Sequence, residues 1–159
     1  MQEFFFKRVD NGTFSAIEYN GDEANVVVPE KYAGQPVTVL YDRLFKGHEE
    51  ITSIWLPDTI TDIGAFVFDG CSSLKEVSLP EKLLYLWQYA FCRSSIEEIT
   101  LPSGVRTIAP YTFKECINLR RIICNSGLIE IKARAFEGCR RDLDIVHGGT
   151  VEISPMAWG

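Results

Sequence analysis

Six aromatic residues, Phe45, Phe68, Phe91, Phe113, Phe136 and Trp158, recur along the chain at steps of 23, 23, 22, 23 and 22 residues. A fixed period of this length constrains the fold more tightly than any local propensity, because it marks a chain built from stacked copies of one small unit. Other columns move in step. An aliphatic residue stands five positions before each aromatic, at Leu40, Ile63, Leu86, Ile108, Ile131 and Ile153. A second aliphatic column runs through Leu56, Leu79, Leu101, Cys124 and Val146, and Pro follows it at Pro57, Pro80 and Pro102. A fourth column reads His48, Cys71, Ser94, Cys116 and Cys139.

Each unit reads I-x-x-I-x-L-P, then an aliphatic segment, then A-F-x-x-C. The spacing of Ile51, Ile54 and Leu56 is that of a leucine-rich repeat, whose short strand turns alternate side chains inward. Pro57 ends that strand, having no N–H to donate to the next rung. Ile60 and Ile63 mark a second short extended segment. The A-F-x-x-C segment, as in Val67 to Cys71, is expected to fold as a single helical turn that drops Phe and Cys into the core. Gly70 and Gly138 allow the tight bend before the next strand. A unit of 22 or 23 residues cannot close a core alone, so coils must stack with strands about 4.8 Å apart. The expected fold is a leucine-rich repeat solenoid of the α/β repeat class, mostly β.

The two ends depart from the pattern, as capping units must. In residues 1–25, Asn11-Gly12 reads as the two-residue turn of a β-hairpin that covers the open edge of the first coil. Repeats fill residues 26–141, the first carrying five extra residues around "YAGQP". Residues 142–159 read as a degenerate capping coil, with Asp142 and Asp144 where strand hydrophobes belong and Trp158 as a lid. The whole is one domain.

These columns, L-x-x-I-x-L-P-x-x-[IV]-x-x-I-G-x-x-A-F-x-x-C, resemble the BspA-like leucine-rich repeats of bacterial surface proteins. "ITSIWLPDTITDIGAFVFDGCSSL" is similar to a consensus unit, and "VVVPEKYAGQPVTVL" to the family's first unit. The resemblance implies an elongated, adhesin-like solenoid used for binding, often at the cell surface, with no catalytic activity attached to the repeat.

Composition narrows the partners. The 159 residues carry a net charge of −6, so no basic footprint invites nucleic acid or an anionic membrane. No apolar run reaches the roughly 18 residues of a membrane helix. "MQEFFFKRVDNG" has too short an apolar region, with charge on the wrong side, for a secretory signal. Two readings stay open: a cytoplasmic protein, or a surface or extracellular one whose signal precedes this chain. The five cysteines fill structural columns without a C-x-x-C pair, so free buried thiols are expected, with no metal and no cofactor. Neither His48 nor His147 has a nucleophile implied beside it, and no enzyme is expected.

The outward strand positions are the first candidate binding strip: Trp55, Glu76, Glu98, Arg121 and Ile123, with Glu97 beside Arg120 and Glu98 beside Arg121 on neighbouring rungs. An alternative face is the aromatic column Phe66, Tyr89 and Tyr111, which precedes each core Phe. Trp87 stands where the preceding unit has Gly64. The expected function is a non-enzymatic binding module for a protein or a surface glycan, as a monomer or with weak self-association. The alternative is a structural protein that assembles through its ends or through the aromatic column.

Overall fold

A computed structural model describes residues 1–159. The chain contains fifteen strands and no helix. In chain order they are β1 (Glu3–Arg8), β2 (Phe14–Asn20), β3 (Asn25–Val27), β4 (Lys31–Tyr32), β5 (Gln35–Leu40), β6 (Ser53–Trp55), β7 (Asp62–Ile63) and β8 (Glu76–Val77). There follow β9 (Tyr85–Leu86), β10 (Glu98–Leu101), β11 (Thr107–Ile108), β12 (Arg121–Cys124), β13 (Glu130–Ile131), β14 (Asp144–His147) and β15 (Glu152–Ile153). Each coil contributes one strand to each of two parallel ladders. The first ladder is β3-β6-β8 followed by β10-β12-β14; the second is β5-β7-β9 followed by β11-β13-β15.

Both ladders part at the same joint. Neither β8 and β10 nor β9 and β11 are paired as strands. The coil beyond the joint is one of the 22-residue steps, and its missing residue falls between Ser94 and Ile96, just before β10. The third side of the coil stays closed there. Phe91 N donates to Thr112 O at 2.9 Å and Arg93 N to Lys114 O at 2.8 Å.

The aromatic column forms the axis of the core. Phe45, Phe68, Phe91, Phe113 and Phe136 are all fully buried, and successive rings stack with centroids 5.7, 5.0, 5.7 and 5.9 Å apart. Burial of each ring contributes about 1.5–3 kcal/mol. Tyr19 and Phe4 close the amino-terminal end over Phe45 at 5.2 and 6.1 Å, and Trp158 lies tilted over Phe136 at 5.1 Å.

The A-F-x-x-C segment differs from expectation: it is a run of tight turns, not a helical turn. Backbone bonds such as Cys71 N to Phe68 O (3.1 Å) close single turns. Phe66 and Gly70, with φ of 60° and 76°, sit in the left-handed region and stop a right-handed helix from propagating. The remaining N–H groups point to the next coil instead, as Phe68 N does to Ala90 O (2.8 Å) and Gly70 N to Cys92 O (2.9 Å).

The amino-terminal hairpin is present: β1 pairs antiparallel with β2, and β2 pairs parallel with β5 of the first coil. Its turn holds three residues, Asp10-Asn11-Gly12, rather than two. Val9 N bonds Thr13 O and Gly12 N bonds Val9 O, both at 2.9 Å, with Gly12 at φ 87°. The insertion in the first coil folds into its own hairpin, β4 against β5. Ala33 and Gly34 turn at φ of 48° and 77°, and Tyr32 stacks on Phe6 at 4.4 Å.

The last coil is better formed than its sequence suggests. Register places Ile145 beside Ile122, Val146 beside Ile123 and His147 beside Cys124. Val146 therefore faces outward, not inward. Asp142 and Asp144 also lie on the outside, while Leu143 and Ile145 take the core positions. Ile153 keeps 38% of its surface exposed.

Candidate functional site

On the first ladder, register sorts the outward side chains into two columns. One reads Asn25, Ser53 and Glu76 on the amino-terminal part, then Glu98, Arg121 and Asp144. The other reads Val27 and Trp55, then Ser78 in the next coil, then Thr100, Ile123 and Val146. All five expected strip residues thus point outward from the first ladder, Trp55 and Glu76 on its amino-terminal sheet and Glu98, Arg121 and Ile123 on its carboxyl-terminal one. Trp55 is 53% exposed, Glu76, Glu98 and Arg121 are exposed, and Ile123 is half-buried.

Two charge pairings were expected across the rungs. Arg120 Nη2 reaches Glu97 Oε2 at 2.9 Å. Arg121 is in register with Glu98, but its guanidinium turns to Asp144 on the other side, with Nε 3.7 Å from Oδ2. Glu98 and Glu76 consequently face a groove of about 680 Å³ at the parted joint, rimmed also by Lys75, Glu81, Thr100 and Arg120. A second recess of about 390 Å³ lies beside Trp55, against Ser78, Leu79 and Pro80. Reasoning from sequence missed Val27, 54% exposed next to Trp55, because the insertion hides its column.

The alternative aromatic face is a ladder of its own. Phe66, Tyr89 and Tyr111 are half-buried and stacked, with centroids 4.5 and 4.7 Å apart and planes within 6°. Cations close both ends: Arg43 and Lys46 approach the Phe66 ring at 5.2 and 5.0 Å, and Lys114 the Tyr111 ring at 5.6 Å. Each ring covers its neighbour's face, so the column presents ring edges to solvent. Stacking of this kind contributes about 0.5–1.5 kcal/mol per pair and offsets the left-handed backbone at all three residues.

The cysteines are buried and free. Cys71, Cys116 and Cys139 each donate to the carbonyl of a core Phe one coil back, Phe45, Phe91 and Phe113, at 3.1, 2.9 and 2.9 Å. Burial pushes the Cys71 and Cys92 thiols up to about 12 and those of Cys124 and Cys139 to about 11. His48 Nδ1 lies 2.6 Å from Glu50, and His147 Nδ1 lies 3.0 Å from the Gly149 carbonyl.

Coils stacked on an aromatic axis, with one ladder of outward side chains left open, define a leucine-rich repeat solenoid. The sequence matches the family described as BspA type leucine rich repeat region, in six copies over residues 38–154, and the chain belongs to that family. Among solved structures it is similar to a leucine rich repeat protein of T. pallidum, with 23% identity, a TM-score of 0.77, and 94% of this chain and 82% of that one covered. It also resembles a leucine rich cell surface protein of Faecalibacterium prausnitzii, at 21% identity and TM-score 0.63, covering 92% of this chain and 50% of that one. The pneumococcal vaccine antigen PcpA matches at 16% identity and TM-score 0.66, over 98% of this chain and 49% of that one. At these identities the likeness is one of fold, and the chain spans about half the length of the last two proteins. No match is found among curated protein sequences.

Proposed function

We propose that the chain is a non-enzymatic, adhesin-like binding module whose first ladder docks a partner protein. The observation that carries this reading is the sorting of that face. Apolar groups stand at both ends of one column (Val27 and Trp55, Ile123 and Val146), with hydroxyls between them and charges alongside. Strands already fixed by stacking present these groups without an ordering cost on binding, which favours affinity. Trp55 is the natural anchor, since an exposed Trp at the edge of a recess is a frequent centre of interface energy.

The test is retention of partner proteins on the immobilised chain. Trp55→Ala combined with Arg121→Glu should abolish retention and leave the melting temperature unchanged. Loss that occurs only together with unfolding would count against this face. A second reading is self-assembly through the strand edge of the last coil, where β14 pairs on one side only. Light scattering across a concentration series separates the two, because assembly raises the apparent mass with concentration.

A further inference from the structure

The parted joint opens a groove on the second ladder as well, away from the strip proposed for a partner protein. Its volume is about 330 Å³, within the roughly 300–1,000 Å³ of small-ligand clefts. One wall is aromatic. Tyr85 and Trp87 point outward from the same coil, 55% and 52% exposed, with ring centroids 6.3 Å apart and planes 29° from parallel. They stand above small neighbours: Asp62 and Gly64 occupy the corresponding positions in the preceding coil, Thr107 and Ala109 in the following one. Gly104 completes the floor. A Cβ there would come within 2.7 Å of the Leu83 carbonyl and 2.8 Å of the Leu84 side chain.

Two polar features face this aromatic wall. Arg106 lines the groove, is exposed, and forms no ion pair. The backbone is also left open. In the other coils the carbonyls of Leu40, Ile63, Ile108 and Ile131 accept from Gly64, Trp87, Lys132 and Ser154 at 2.9–3.0 Å. The equivalent bond from Ala109 N to Leu86 O is absent, and both residues line the groove. A donor and an acceptor thus lack protein partners, and such groups take up any hydrogen-bonding ligand within reach.

We propose that this groove binds an acidic pyranose, a sugar ring bearing a carboxylate. The apolar face of the ring lies on Trp87 and Tyr85, its carboxylate meets the Arg106 guanidinium, and ring hydroxyls bond the free Leu86 carbonyl and Ala109 amide. Neutral sugars satisfy only part of this set. Arg106 is the one charged residue lining the groove, and it sets the preference for an anion.

The probes are methyl β-glucuronide and its neutral counterpart methyl β-glucoside, titrated into the intact chain and followed by nitrogen–proton correlation spectra. The glucuronide is expected to shift the Trp87 indole N–H, identified by its loss in Trp87→Ala, together with the Thr107 and Ala109 amides. The glucoside should bind about tenfold more weakly, and Arg106→Gln should remove that difference. Trp87→Ala should abolish binding of both, with unchanged melting temperature. Equal binding of the two sugars by the native chain, an undiminished preference in Arg106→Gln, or the absence of any shift at this groove would overturn the proposal. Trp55→Ala with Arg121→Glu should bind the glucuronide normally, so failure here leaves the partner-protein reading untouched, and the converse holds.

Discussion

Glu115 holds a backbone conformation that most of its counterparts leave to glycine. The column Gly47, Gly70, Arg93, Glu115, Gly138 and Gly159 has φ between 56° and 95° throughout, so two bulky residues sit in the left-handed region. Arg93 is compensated. Its guanidinium grips the buried Asp69 carboxylate at 2.8 and 3.0 Å, with Lys46 adding a longer contact at 3.4 Å. Glu115 has no such ion pair. Glu115→Gly is therefore expected to raise stability by up to about 1 kcal/mol, whereas Arg93→Gly, with the same relief of strain, should lower it by about 1–3 kcal/mol. Urea denaturation decides both signs. The thiols give a second expectation. Their folded pKa values lie above the ordinary 9.0, so their contribution to stability is intact below pH 9 and is lost as pH rises through 11 to 12. Native protein at pH 8 should show no fast-reacting thiol, and denatured protein all five. A rapidly labelled native cysteine would contradict the buried column.

At the scale of elements, the joint between the third and fourth repeats depends on fewer bonds than any other. Strand pairing is missing on both ladders, so the halves are held by the Phe91–Phe113 and Tyr89–Tyr111 stacks at 5.7 and 4.7 Å, the bonds of the turn side, and a long bond from Glu97 N to Lys75 O at 3.4 Å. Phe113→Ala should cost about 3–5 kcal/mol, as for any buried Phe. Unlike Phe68→Ala, it should also separate the unfolding of the amino-terminal half, reported by Trp55 and Trp87, from that of the carboxyl-terminal half, reported by Trp158. Coincident transitions in both variants would show that the joint is no weaker than its neighbours. The aromatic and aliphatic columns were legible in the sequence, since each side chain must meet its own kind one coil away. The strip from Trp55 to Ile123 was legible for the same reason. Helical turns were misread because A-F-x-x-C carries no mark of its left-handed residues other than the glycines. The shift that turns Val146 outward was also hidden: strand register follows Ile145 and the backbone bonds, not the residue count from Cys124. The parted ladders depend on how far two rungs approach, which a spacing of 22 against 23 does not reveal.

At the scale of the molecule, every coil touches its neighbours and little else, so stability accumulates along one dimension. The amino-terminal end is closed by an antiparallel hairpin, and the aromatic axis ends under the tilted ring of Trp158. Such an arrangement also makes distance countable. Trp55 and Ile123 are three rungs apart in the same column, on either side of the parted joint. Duplication or loss of one repeat in the gene between them would lengthen or shorten that span by a single increment of about 4.8 Å. Neither residue's own surroundings would change. The chain is thus a ruler graduated in repeats.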